Sequence, residues 1–202
     1  DTNFSAITFA ADGHYLWNVW CNDTTGQSAF NATNYTLKID SVNPTILLNS
    51  PADNTWNNTG TITFQYTPTD ANIDTCILYH NATGTWLANV SNSSLVSGAM
   101  INYTQALSDG HYKWNVWCND TAGRSLFNET NYTIKIDNTD PIVVSLNNHA
   151  NNTWTTSKTA TLGFKVTETN TDTCILYHNA TGIWAANVTV TGITSATDTN
   201  FS

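Results

Sequence analysis

Basic residues are scarce in this chain, and they never cluster. Six Lys and Arg stand against fifteen Asp and Glu, a net charge of −9, and charged residues make up only 10% of the 202. A nucleic-acid face needs a basic stripe and an anionic lipid surface needs a polybasic patch, so neither partner fits. No stretch approaches the roughly eighteen apolar residues of a spanning helix, so the segment is expected to contain no membrane span. No signal peptide opens it either; an export signal is expected outside this segment. Glu occurs only at Glu129 and Glu168, away from any motif. With no nucleophile, base and acid in a recognisable arrangement, the chain is not expected to be an enzyme or to hold a cofactor.

Metal-ligand spacings are also missing. There is no Cys-x-x-Cys and no Cys/His cluster of the zinc kind. His14 and His111 follow Asp-Gly, and His80 and His178 precede Asn-Ala-Thr-Gly, so all four read as turn residues. Oxygen-rich stretches occur at Asp70–Asp74, Glu168–Asp172 and Asp137–Asp140 and could hold calcium. Side-chain-to-backbone turn chemistry explains them equally well, and no metal is assigned.

What the chain does have is Asn, Thr and Ser. It contains 28 Asn, and 50 of its 202 residues are Ser or Thr. Sixteen Asn-x-Ser/Thr sequons result, at Asn3, Asn22, Asn31, Asn34, Asn57, Asn81, Asn89, Asn92, Asn102, Asn119, Asn128, Asn131, Asn151, Asn179, Asn187 and Asn200. Random order would give about seven, so dense N-glycosylation is expected, with N-glycans as covalent partners. Such sugars place the chain outside the cell or on its surface. Apolar residues, 40% of the total, lie in short runs that fold rather than stay disordered.

The chain repeats itself. Residues 12–40 match 109–137 at 23 of 29 positions, and 74–90 match 172–188 at 15 of 17. The unit is one module of about 97–100 residues, used more than once. Asp109-Gly110 opens a strand in which Tyr112, Trp114, Val116 and Cys118 share one side, with Lys113 on the other. Alternation of this kind, rich in aromatic and β-branched residues, marks a half-buried strand. Its outward parity includes Trp117, and Trp20 in the earlier copy, as possible glycan or inter-module contacts.

Residues 41–138 form a complete module. Seven strands are expected near Thr45–Leu48, Thr61–Tyr66, Thr75–Tyr79, Thr85–Asn89, Met100–Gln105, His111–Cys118 and Tyr132–Ile136. Turn residues separate them, and no helical period appears, so the class is all-β, a sandwich. Residues 1–40 carry the later strands of another module, with one expected around Phe4–Phe9, and 139–202 carry the early strands of a third. Cys76 and Cys118 lie on two strands of one module and read as a disulfide, with a pair of buried free thiols as the alternative.

Asp-Gly-x-Tyr-x-Trp-x-Val-x-Cys-x-Asp-x-x-Gly, followed by Tyr-Thr-x-Lys-Ile-Asp and a Pro at the next module, resembles the tandem immunoglobulin-like domains of archaeal and bacterial extracellular surface glycoproteins. The resemblance covers the whole chain. It implies that Cys76 and Cys118 sit on the third and sixth strands and that Tyr112 and Tyr15 take the tyrosine-corner position. It implies a spacer or scaffold role rather than a chemistry.

Asp1-Thr2-Asn3-Phe4-Ser5 returns as Asp198-Thr199-Asn200-Phe201-Ser202. Two arrangements explain this: one period cut from a longer tandem array, the favoured reading, or a subunit whose ends occupy equivalent environments. A seven-strand sandwich enters at one pole and leaves at the other, roughly 30–40 Å away. The linkers at 40–44 and 137–141 reach only about 15 Å each, so the halves are expected to complete each other between copies. Cys174 of one copy would then bond Cys21 of the next. Such head-to-tail contact builds an open helical or linear polymer of the chain, a filament or coat. The alternative reading is an adhesin or carbohydrate-binding module.

Overall fold

The structure, a computed structural model, describes residues 3–201. Asp1, Thr2 and Ser202, the outer residues of the terminal pentapeptides, lie outside the described residues. Every regular element among them is a strand, and the chain divides into two compact units, 1–138 and 139–202.

The first unit opens with β1 (Gly13–Trp17), β2 (Trp20–Asn22), β3 (Ser28–Phe30) and β4 (Tyr35–Ile39). β1 pairs antiparallel with β4, and β2 with β3. The strand expected over Phe4–Phe9 does not form; Phe4 and Ile7 are 77% and 74% exposed. The corresponding segment of the complete module pairs with a strand that this half does not contain, so nothing here offers it a ladder.

The complete module follows as β5 (Thr45–Ser50), β6 (Thr55–Asn57), β7 (Thr61–Thr69), β8 (Ile73–His80), β9 (Leu87–Asn92), β10 (Ile101–Ala106), β11 (Gly110–Asp120), β12 (Ser125–Phe127) and β13 (Tyr132–Ile136). β10-β7-β5 form one sheet and β6-β13-β11-β8-β9 the other, with β12 beside β11. This is an immunoglobulin-like β-sandwich. The sequence of β7 explains its place: Ile62, Phe64 and Tyr66 alternate inward with Thr63, Gln65 and Thr67. Pro68 is tolerated because its carbonyl, accepting from Gly98 N–H, points past the end of β10, where no backbone donor is required.

Between the sheets, Leu48, Ile62, Phe64, Tyr66, Leu78, Trp114, Val116, Ile134 and Ile136 are buried together with Cys76 and Cys118. Trp114 is the centre, with Phe64 at 5.2 Å and Tyr132 edge-on at 5.8 Å. Two short strands were not expected from sequence. β6 runs parallel to β13, and β12 takes over from β13 as the neighbour of β11 beyond Trp114.

The second unit has β14 (Ile142–Asn147), β15 (Leu162–Thr167), β16 (Thr173–His178), β17 (Ala185–Thr191) and β18 (Asp198–Phe201). β14-β15-β18 form one sheet and β16-β17 a hairpin.

Candidate functional site

The Asp-Gly start of β11 is fixed by glycine and tyrosine together. Gly110 has φ 152°, and a Cβ there would sit 3.0 Å from Tyr112 Oη. Tyr112 Oη donates to Ser108 O at 3.1 Å, which is the tyrosine corner. Tyr15 Oη makes the same bond to Ala11 O at 2.6 Å. Further along, buried Asn115 donates Nδ2 to Asn128 O and Asn131 Oδ1 and accepts from Val116 N–H. Asn18 repeats this set with Asn31, Asn34 and Val19. These bonds are local in sequence, so they form whether or not an opposite sheet is present.

The opposite sheet decides burial. Trp114 is fully buried and its counterpart Trp17 is 52% exposed. Ile134 is 1% exposed and its counterpart Leu37 is 40% exposed. The pairing itself is unchanged: Gly110↔Ile136 and Gly13↔Ile39 stand in the same register. Residues 13–39 therefore form the β11–β13 layer of a module with its inner face uncovered.

Cysteine follows the same division. Cys76 and Cys118 lie directly opposite each other on β8 and β11, Cα atoms 4.1 Å apart, and are bonded within one sheet. Cys21 is an exposed free thiol and Cys174 a half-buried one. Burial pushes the Cys174 thiol above its ordinary range.

The sequons sort by which amide atom the fold uses, because a glycan is attached through Nδ2 and leaves Oδ1 as an acceptor. Asn89 spends Nδ2 on His80 O and Leu87 O, and Asn187 on His178 O and Ala185 O. Asn119 donates to Asp74 Oδ2 and Asp120 O, Asn128 to Ile46 O at 2.8 Å, and Asn31 to Thr33 O. A second group uses only Oδ1. Asn57 accepts from Thr59 and Gly60, Asn81 from Lys113 N–H, and Asn92 from Ser94 N–H. Asn131, Asn34 and Asn200 accept from Asn115, Asn18 and Asn148. Asn102 stands on the exposed parity of β10 with neither atom engaged, as do Asn3, Asn22, Asn151 and Asn179 in exposed positions.

Of the two tryptophans proposed as contacts, Trp20 is 51% exposed, opposite Phe30. Trp117 is half-buried between Ile77 and Phe127 on the outer face of its sheet. Tyr79 widens that face by meeting Phe127 at 5.0 Å and stacking on Trp86 at 6.0 Å. Tyr177 and Trp184 repeat the stack at 6.2 Å. Trp56 lies on β6 with Lys135 Nζ 5.3 Å over its ring and His111 beside it.

His80 is a correction. It is no solvent-facing turn residue but closes the core at the end of β8, 1% exposed. The oxygen-rich loops also separate: Asp74 bonds Thr75 and Asn119, and Glu168 accepts the backbone N–H groups of Thr169 and Asn170. Among the described residues, no helix is long and apolar enough to cross a membrane.

Neither a protein-family model nor a curated protein sequence matches the chain. Among solved structures it is similar to a PKD domain of an M14-like peptidase from Thermoplasmatales archaeon SCGC AB-540-F20, at 17% identity and a TM-score of 0.31. That match covers 46% of this chain and 93% of the other.

Proposed function

We propose that the chain is a structural subunit or repeat of an N-glycosylated extracellular filament or surface coat, built head-to-tail by completing split immunoglobulin-like modules between copies. The observation that carries this is the uncovered inner face at β1 and β4. It keeps the register, tyrosine corner and asparagine lock of β11 and β13 while exposing Trp17, Leu37 and the Cys21 thiol. The second unit presents the complementary strands. Asn200 pairs with Gly163 and Phe201 with Leu162, the register that Asn102 and Tyr103 hold against Gln65 and Phe64. Residues 3–5 carry the same Asn-Phe-Ser and would take that register on a neighbour in place of its own β18.

Mild oxidation of the purified chain tests the reading. A ladder of disulfide-linked multimers on non-reducing gels is expected. Single Cys21→Ser and Cys174→Ser variants should each stop it, and their mixture should give dimers only. Monomers with an internal Cys21–Cys174 bond would overturn the reading. For the sugars, glycopeptide mass spectrometry is expected to find Asn57, Asn81, Asn92 and Asn102 occupied above Asn89, Asn119 and Asn128. Reversed occupancy would sink the division by amide atom.

The alternative, an adhesin or carbohydrate-binding module, is supported by the outer-face aromatics Tyr79, Trp86, Trp117 and Phe127, since rings stack on sugar faces. Glycan-array binding that Trp86→Ala or Trp117→Ala abolishes would establish it.

A further inference from the structure

Asp40, Asp70 and Asp120 are scattered through the sequence and converge in the fold. Each brings one carboxylate oxygen to within 4.8 Å of the others. Asp40 is the first residue after β4, on the linker into the complete module; Asp70 directly follows β7; Asp120 ends β11. Asp70 and Asp120 are 7% and 1% exposed. Like charges this close repel, most strongly where water is excluded.

Much of the local hydrogen bonding is accounted for. Asp120 Oδ1 accepts from Ala122 N–H and Arg124 N–H at 2.8 and 2.9 Å. Asp70 Oδ1 accepts from Asn72 N–H at 2.7 Å. Asp40 accepts from Val42 N–H through Oδ1 and from Asn72 Nδ2 through Oδ2. Asp120 Oδ2 is different: it is buried and has no hydrogen-bond partner. A charged oxygen left so is expensive, and a native fold satisfies it with a proton, water or cation.

The nearby guanidinium does not fill the place: Arg124 Nη1 contacts Asn43 Oδ1 instead. A cleft of about 660 Å³, lined by Asp12, His14, Lys38, Asp40, Asp70 and Asn72 among others, leaves room for further water ligands.

We propose that Asp40, Asp70 and Asp120 form a divalent-cation site of the calcium type that fastens the inter-module linker to the pole of the complete module. The cluster offers only hard oxygen donors, without imidazole or thiolate, which favours calcium over zinc. Bridging a linker carboxylate to the ends of β7 and β11 would fix the direction in which one module leaves the next. The site is complete within residues 1–138 and stands whether or not copies assemble. The equivalent positions elsewhere in the repeat, Asp137, Glu168 and Asp23, are also acidic.

The test uses the full chain, stripped with chelator and titrated with calcium alone by calorimetry, with thermal melts alongside. Saturable binding with an affinity of about 0.1–1 mM, typical of extracellular modules, is expected, with a higher melting temperature. Asp40→Asn, on the linker and outside the core, should weaken it at least roughly tenfold with apo stability unchanged. Asp120→Asn should abolish it, while Asp74→Asn should leave it intact. No calcium-dependent heat or melting shift at about 10 mM, or equal binding by wild type, Asp40→Asn and Asp120→Asn, would overturn the proposal.

Discussion

Residues 13–39 and 110–136 are nearly the same sequence in two surroundings. Both make the Asp-Gly turn, the tyrosine corner, the asparagine lock and a hairpin in the same register. Only the second lies under an opposing sheet. There β11 runs unbroken from Gly110 to Asp120, whereas its counterpart is interrupted into β1 and β2 at Asn18-Val19. Local hydrogen bonds thus suffice to set turns and register, while strand continuity at 115–116 needs β8, the ladder partner there, and burial needs β5, β7 and β10.

The largest test of this contrast is tryptophan. Trp114→Ala removes the side chain between Phe64 and Tyr132 and is expected to cost about 3–5 kcal/mol in denaturant unfolding. Trp17→Ala, in a half-exposed position, is expected to change the isolated chain by about 0.5 kcal/mol or less. Assembled material should respond to Trp17→Ala as strongly as to Trp114→Ala. Equal costs in the isolated chain would mean that the first half already has a covered core.

Cysteine comes next. Replacing Cys76 and Cys118 by Ala opens a link across 42 residues and is expected to cost about 2–4 kcal/mol. Replacing the free Cys21 and Cys174 should leave unfolding of the complete module unchanged and remove only links between copies. A smaller gap separates the asparagines. Asn115→Ala strips a buried lock and leaves Val116 N–H and Asn128 O without their partner, at about 1–3 kcal/mol. Asn18→Ala, on the open face, should cost a few tenths, read as faster amide exchange at Val19.

Much of this was legible beforehand where periodicity and repetition speak. Alternation located β7, β8, β10, β11 and β13, and the repeat showed in advance that residues 13–39 would copy the hairpin of β11 and β13. Three-residue strands such as β6 and β12 carry too little period to be seen. Phe4–Phe9 has strand-like residues but no partner, so pattern alone misleads there. His80 shares the inward parity of Cys76 and Leu78, a signal overridden by its neighbouring turn sequence Asn-Ala-Thr-Gly. The acidic cluster could not be seen, because residues 40, 70 and 120 meet only when the linker, β7 and β11 are placed together.

His80 supplies the smallest expected effect and a pH signature. Its Nδ1 accepts Ala82 N–H at 3.2 Å, so Nε2 carries the proton given to Gln105 Oε1 at 2.8 Å, while the ring stacks on Phe64. The neutral ring is fully matched; a second proton on Nδ1 would face a donor. Burial lowers its pKa below the ordinary 6.5, against an opposing contribution from Gln105. The unfolded chain therefore binds this proton more readily than the folded one. His80's contribution is complete above about pH 6.5 and drains away as pH falls through that value toward the folded pKa. Melting temperature should fall between about pH 7 and 5 in the wild type, and this slope should flatten in His80→Gln. If His80→Gln leaves the slope as steep as in the wild type, burial of this ring in the completed module is not what sets it.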